Sequence, residues 1–178
     1  MKIFETDRLE VRRITEFDKD NFAELITNPV ILEKIPVKPA SKEIVADRYA
    51  KAMKIELSDI GMKKCFFGII EKGKDEVIGL ALFLINDIKR QELGYRFRPE
   101  YWGNGYGTEI AKGMLNYYFD VLEATKVTAG ANATNEASVK ILSKFMKPIE
   151  EVYNEEQNYT DIRFEISKND WMNRKGII

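Results

Sequence analysis

The run Arg96-Phe97-Arg98-Pro99-Glu100-Tyr101-Trp102-Gly103-Asn104-Gly105-Tyr106-Gly107-Thr108-Glu109 decides how this chain is read. A strand ends in it, three alternate glycines follow, and an amphipathic helix starts at once. The start of a helix presents backbone N–H groups without intrahelical partners, together with the positive end of the helix dipole. Glycine at 103, 105 and 107 removes the Cβ atoms that would keep an anion from those amides. The spacing is not that of a nucleotide P-loop, for no Gly-Lys-Ser/Thr follows at the required distance. Nor does it suit the dinucleotide fingerprint, whose third small residue would fall on Thr108 or Ile110 and whose acidic residue is missing. What remains is G-x-G-x-G between strand and helix, a phosphate cradle or simply a tight connection.

Outward from this turn the pattern is that of a mixed α/β chain. Glu92 to Arg98 alternates, with Leu93, Tyr95 and Phe97 on one face and Glu92, Gly94, Arg96 and Arg98 on the other. Downstream, Ile110, Ala111, Met114, Leu115, Tyr118 and Leu122 predict a helix. Lys126 to Asn132 predicts a strand, Glu136 to Phe145 a helix, and Ile149–Asn154 and Ile162–Ser167 two last strands. Upstream, Cys65–Ile70 and Val77–Ile85 are apolar on both faces and joined by Lys72-Gly73-Lys74-Asp75, as in a central hairpin. Further back, Val45, Tyr49, Ala52, Met53, Leu57 and Ile60 recur at helical spacing from the N-cap Ser41 to Gly61, after a loop with Pro36 and Pro39. Thr15 and Asp18 open a helix with Phe22, Leu25 and Ile26 on one face, closed by Asn28-Pro29. Leu9 to Arg13 reads as a strand. The predicted order is β-α-α-β-β-β-α-β-α-β-β, without repeat or linker, so residues 1–178 are expected to form one domain.

Three stretches resemble the GNAT superfamily of N-acetyltransferases. Glu92-Leu93-Gly94-Tyr95 through Glu109 is similar to its acetyl-CoA signature, above all in the branch of bacterial ribosomal-protein N-terminal acetyltransferases. Glu5-Thr6-Asp7-Arg8-Leu9 resembles that branch's start, and Asn135-Glu136-Ala137-Ser138-Val139-Lys140-Ile141-Leu142-Ser143-Lys144 its second motif. The resemblance implies an α/β (α+β) fold with a mostly antiparallel sheet of about six to seven strands flanked by about four helices. It implies acetyl-CoA as cosubstrate, with the pantetheine arm on Arg96, Phe97 and Arg98. The pyrophosphate would lie on Gly103, Asn104, Gly105, Tyr106, Gly107 and Thr108, with Asn135 and Ser138 assisting. It also implies a strand glutamate as base, for which Glu92 is the candidate; a solvated or ion-paired carboxylate is the alternative. Asn135 is equally suited to be a helix N-cap. Two departures matter. The Tyr that many members place beyond the Asn motif is replaced by Ile141-Leu142, and the usual Lys-x-Gly-Phe reads Lys144-Phe145-Met146-Lys147, which predicts a remodelled turn. The basic residue usual between the glycines is Asn104.

Composition narrows the chemistry. The chain has 178 residues, a net charge of −1, one cysteine and no histidine. A near-neutral balance carries no footprint for nucleic acid or anionic membrane. A lone Cys65 in an apolar run excludes an internal disulfide framework and suits a reducing cytoplasm. Without histidine there is no His-based triad, and with one cysteine no metal is expected. No secretory signal or membrane-length apolar run is present.

The expected reaction is transfer of acetyl to a primary amine, peptide or small molecule; a non-catalytic CoA-binding sensor is the alternative. A peptide or protein N-terminus ranks above polyamines and aminoglycosides, because an α-amino group titrates near about 7.7–8.0 against about 10.4 for lysine. The segment from Asn28 to Met62 is expected to wall the acceptor side. The run Glu150, Glu151, Glu155, Glu156 would be a solvated hairpin or attract a cation. Asp161, Arg163, Glu165 and Lys168 read as protection of an exposed last strand, in a monomer or homodimer.

Overall fold

The computed structural model describes residues 1–35, 37–86, 89–155 and 158–175; Pro36 and Glu156 lie outside them. Among the described residues there are eight strands, in one sheet, and six helices. Strands β1 (Lys2–Glu5) and β2 (Leu9–Arg12) come first, then helices α1 (Lys19–Thr27), α2 (Pro29–Leu32) and α3 (Lys42–Met53). Strands β3 (Cys65–Glu71), β4 (Val77–Ile85) and β5 (Gln91–Phe97) lead to α4 (Tyr106–Asn116). Strand β6 (Lys126–Asn132), α5 (Glu136–Phe145), β7 (Lys147–Asn154), β8 (Tyr159–Ser167) and α6 (Lys168–Lys175) complete the chain. No described helix is long and apolar enough to cross a membrane.

The strand order is β1-β2-β3-β4-β5-β6-β8-β7, antiparallel throughout except for β5 beside β6. β4 is buried along most of its length because helices cover both faces of the sheet. α1 packs its Phe22, Leu25 and Ile26 on one face, while α4 buries Ile110, Ala111, Met114 and Leu115 on the other. Asp18 seals the entry to α1 by accepting from the Thr15 N–H at 2.7 Å and pairing with Arg12 at 2.7 Å.

Three details depart from expectation. β1, α2 and α6 are added, each four to eight residues long and too short to show a period of its own. α3 stops at Met53, and Leu57 lies in a following 3-10 turn with half its surface exposed, so only Val45, Tyr49, Ala52 and Met53 of the apolar series belong to one helix. The last strand is not an edge: β8 lies between β6 and β7, and β7 is the outer strand. There Pro148 removes a backbone donor and a bulge follows before Glu150, while Glu150 pairs with Arg163 at 3.2 Å. The turn after α5 is remodelled as expected. Met146 is extended rather than left-handed, and Arg174 of α6 donates to the Phe145 carbonyl at 2.9 Å where a glycine cap would close the helix.

Candidate active site

β5 and β6 meet at one register pair, Glu92–Thr128, and then part. The buried Thr128 hydroxyl donates to the Gln91 carbonyl at 3.0 Å, and Tyr118 Oη donates to the Glu92 carbonyl at 2.9 Å. Glu92 therefore stands where the two strands diverge, held by β4, β6 and the helical segment after α4. Beyond it, the Arg98 N–H donates to the Ile78 carbonyl at 3.0 Å, which sets the phase of the antiparallel β4–β5 ladder. In that phase the backbone groups of Arg96 and Arg98 point at β4. Those of Tyr95 and Phe97 point toward β6, where the gap lies. Of the residues expected along the pantetheine arm, Phe97 turns its backbone toward the gap together with Tyr95, while the backbone groups of Arg96 and Arg98 face β4; the Phe97 carbonyl accepts from the Trp102 indole at 2.8 Å. This division follows from the two-residue alternation of a ladder, which composition cannot phase.

The glycine turn closes one end of this gap. Gly103 and Gly105 have φ of +77° and +79°, in the left-handed region that glycine adopts without penalty. Gly107 enters α4 where a Cβ would lie 2.8 Å from Ile141 Cδ1 and 3.4 Å from the Tyr95 ring, so α4, α5 and β5 meet at its Cα. Thr108 N–H turns back to the Gly105 carbonyl at 3.1 Å and is spent there. Among the described residues no protein acceptor is recorded for the N–H groups of Gly103, Asn104, Gly105, Tyr106 and Gly107. Five adjacent donors at a helix start form an anion cradle.

Two cations stand over it, neither of which was assigned a role from the sequence. Arg8 donates to the Asn104 carbonyl at 3.0 Å and lies with its guanidinium carbon 4.6 Å from the Tyr106 ring centroid. Its Nε meets Glu109 Oε2 at 2.7 Å, while Thr6 and the Arg8 N–H also donate to Glu109. Burial pushes the Glu109 carboxyl up, but those three donors outweigh it and hold the group below the usual range. Lys144 of α5 approaches Thr108 Oγ1 at 3.4 Å. Both residues lie in the motifs quoted from the sequence, and their spacing along the chain gave no sign that they meet at one turn. Asn104 contributes its backbone; its side chain turns to the Trp102 carbonyl at 3.4 Å.

The far wall is the start of α5. Asn135 is its N-cap, accepting from the Ser138 N–H at 3.2 Å through Oδ1, which leaves the amide NH₂ as a donor. Tyr95 Oη is sealed from solvent and makes no aligned hydrogen bond. Burial raises its pKa, and the nearby Ser138 hydroxyl counteracts this only in part, so the phenol stays protonated. Of Ile141-Leu142, which stand in the region of the missing Tyr, Leu142 is buried in the core and Ile141 packs partly buried against it.

An acetyltransferase (GNAT) domain model matches residues 8–145, most of the chain and all of the elements just described. The chain belongs to the GNAT acetyltransferase family. Among curated relatives of this GNAT chain, the uncharacterized N-acetyltransferase p20 of Bacillus licheniformis is 28% identical over 145 residues, 80% of either chain. In fold it is similar to the spermidine N-acetyltransferase of Vibrio cholerae, solved in complex with CoA and spermine, with a TM-score of 0.77 at 19% identity over 92% of this chain and 98% of that one. The ribosomal-protein-S5-alanine acetyltransferase of Vibrio fischeri superposes with a TM-score of 0.73 at 19% identity, covering 96% of this chain and 98% of that one. At such identities the likeness is one of fold. Among the described residues the GNAT sheet here has eight strands against the six to seven expected, the strand absent from the predicted order being β1 at the edge.

Proposed function

We propose that residues 1–178 act as one domain that transfers an acetyl group from acetyl-CoA to a primary amine, a peptide or protein N-terminus ranking first. The observation that carries this reading is the row of five unpartnered N–H groups at the glycine turn, opening onto the gap between β5 and β6. Acetyl-CoA supplies the activated acetyl thioester. The chain's own groups do the rest. The Gly103–Gly107 amides bind the pyrophosphate, with Arg8 and Lys144 adding positive charge. The backbone of Tyr95 and Phe97 orients the amide-bearing arm as a further strand would, and Asn135 adds its NH₂. Glu92, at the point of divergence, accepts the proton that the attacking amine sheds. The thiolate leaves without a side-chain acid, which an ordinary thiol pKa of about 8.5 permits. Cys65 takes no part: burial pushes its thiol up to about 11, which suits an unreactive thiol in the cytoplasm.

The test is thiol release from acetyl-CoA over a panel of N-terminal peptides, spermidine, an aminoglycoside and free amino acids, with CoA binding followed by calorimetry. Peptides are expected to be acetylated fastest. Gly105→Val should weaken CoA binding at least tenfold, by placing a branched Cβ in the cradle at a φ of +79°. Equal CoA affinity in parent and variant would overturn the cradle. CoA binding without thiol release for any amine would make the chain a sensor.

A further inference from the structure

Arg96 in β5 and Arg98, one residue past its end, stand two residues apart, and the fold treats them oppositely. Arg98 is surrounded by carboxylates: Glu24 and Glu100, each at 2.9 Å, and Glu76. Arg96 meets none among the described residues. Its Nη1 donates to the Leu25 carbonyl at 3.3 Å, and its Nε is sealed from solvent without a partner. The charged group that acts on it is Arg48 of α3, a second cation. Desolvation, with Arg48 adding to it, pushes the guanidinium down to about 10, which still leaves it charged at neutral pH. A desolvated cation without a counter-charge is costly. The carbonyl end of α1 offsets part of that cost, but one bond to Leu25 uses one of five donors and does not account for the approach of Arg48.

The neighbourhood is concave and basic. Arg48, Lys54, Lys64 and Phe66 line a cavity of about 620 Å³ between α3 and the sheet, whose other charged residues are the ion pairs Lys51–Asp47 and Lys63–Asp59, so basic residues are in excess; Arg96 lies outside this lining. Phe66 is level with Leu82 and Leu82 with Gly94, so the cavity floor lies abreast of the midpoint between Glu92 and Arg96. All three β5 residues share one face, by alternation.

We propose that Arg96 and Arg48 form the anion-recognising half of the acceptor site, and that the acceptor is a peptide N-terminus with an acidic side chain a few residues in. The proposal rests on the transfer reading above, which places the amine at Glu92. Glu92 and Arg96 are four strand residues apart, on the order of 13 Å, which an extended peptide spans in about three to four residues. A free amino acid carries amine and carboxylate on one carbon and cannot bridge that distance. A polyamine brings only positive charge to two arginines.

Hexapeptides beginning with Ala, each with one Glu at positions 2 to 6, are compared with neutral and Lys-bearing versions at saturating acetyl-CoA. Glu at the third or fourth position is expected to raise kcat/KM on the order of tenfold to a hundredfold, mostly through KM, as one charge-assisted hydrogen bond would. Arg48→Glu, at an exposed site that tolerates substitution, should abolish the preference while leaving acetyl-CoA affinity unchanged; Arg96→Met should do the same. Absence of any acidic preference, or a preference surviving both variants, overturns the proposal. Calorimetry of the N-acetylated acidic hexapeptide against the CoA-loaded protein separates the two readings, since it needs no chemistry. Arginine-dependent binding without acetylation of any peptide would sustain the anion site and sink the transfer reading. Acetylation without acidic preference would do the reverse.

Discussion

At the scale of single residues, the proposed chemistry rests on the point where β5 and β6 part. Glu92 is the carboxylate at that point, and its exchange for Gln keeps shape while removing a base. Glu92→Gln is expected to lower kcat on the order of 10²–10⁴-fold with little change in acetyl-CoA affinity, checked by steady-state kinetics across pH. Full activity at every pH would pass the role to water. Period-two alternation placed Glu92 on the polar face of its strand; its candidacy as base came from the family resemblance. The partnerships of Arg8 with Glu109 and of Lys144 with Thr108 were not legible in the sequence, since each joins residues far apart in the chain. The same holds for Arg96, whose lack of a carboxylate appears only once α1 and α3 are laid over the sheet.

Among the elements, α4 packs on α5 directly behind the glycine turn. Gly107 is a close point of that contact, with Ile141 Cδ1 occupying the space a methyl group would need. Gly107→Ala gains up to about 1 kcal/mol from a stiffer unfolded chain but meets an overpacking cost of about 1–3 kcal/mol. We expect it to be destabilising alone and neutral or stabilising in Ile141→Val, which deletes the clashing carbon. A coupling on the order of 1 kcal/mol in a urea double-mutant cycle would register this; strict additivity would refute the packing account. The period of each long helix and strand was plain in the sequence, and α5 and β6 fall on the expected residues. α3 ran short of its apolar series because Leu57 and Ile60 continue a spacing without continuing a helix.

For the whole molecule, acid–base behaviour follows from the absence of histidine and from depressed carboxylates. Burial opposes ionisation of Asp18, but Arg12 and Thr15 hold its folded pKa below the unfolded value; Lys74 and Arg98 lead the lowering of Glu71 and Glu76. Such groups contribute stability that is present above their unfolded values, about 3.9 for Asp and 4.3 for Glu, and is lost as pH falls through the folded ones. Asp161, raised by burial, works in the opposite direction. The melting temperature should therefore be level between about pH 6 and 8 and fall below about pH 4, with a shallower acid limb in Asp18→Asn. A marked change between pH 8 and 6 in thermal melts would contradict this, because no imidazole is there to titrate.

Local order was thus open to the sequence. Periodicity, turn glycines and capping residues are properties of neighbours along the chain, and they determined the order of the longer elements and the strand-to-helix glycine turn, with β1, α2 and α6 escaping them; composition alone removed histidine chemistry. The tertiary structure alone decided the place of β8 inside the sheet, the phase that turns Tyr95 and Phe97 toward the gap, and the cations gathered over the glycine turn. It also left the Arg96 Nε sealed from solvent without a partner, with Arg48 rather than a carboxylate as the charge acting on it. Each of these depends on which distant segments pack together, and that is set by burial of the whole apolar surface at once rather than by any one stretch of residues.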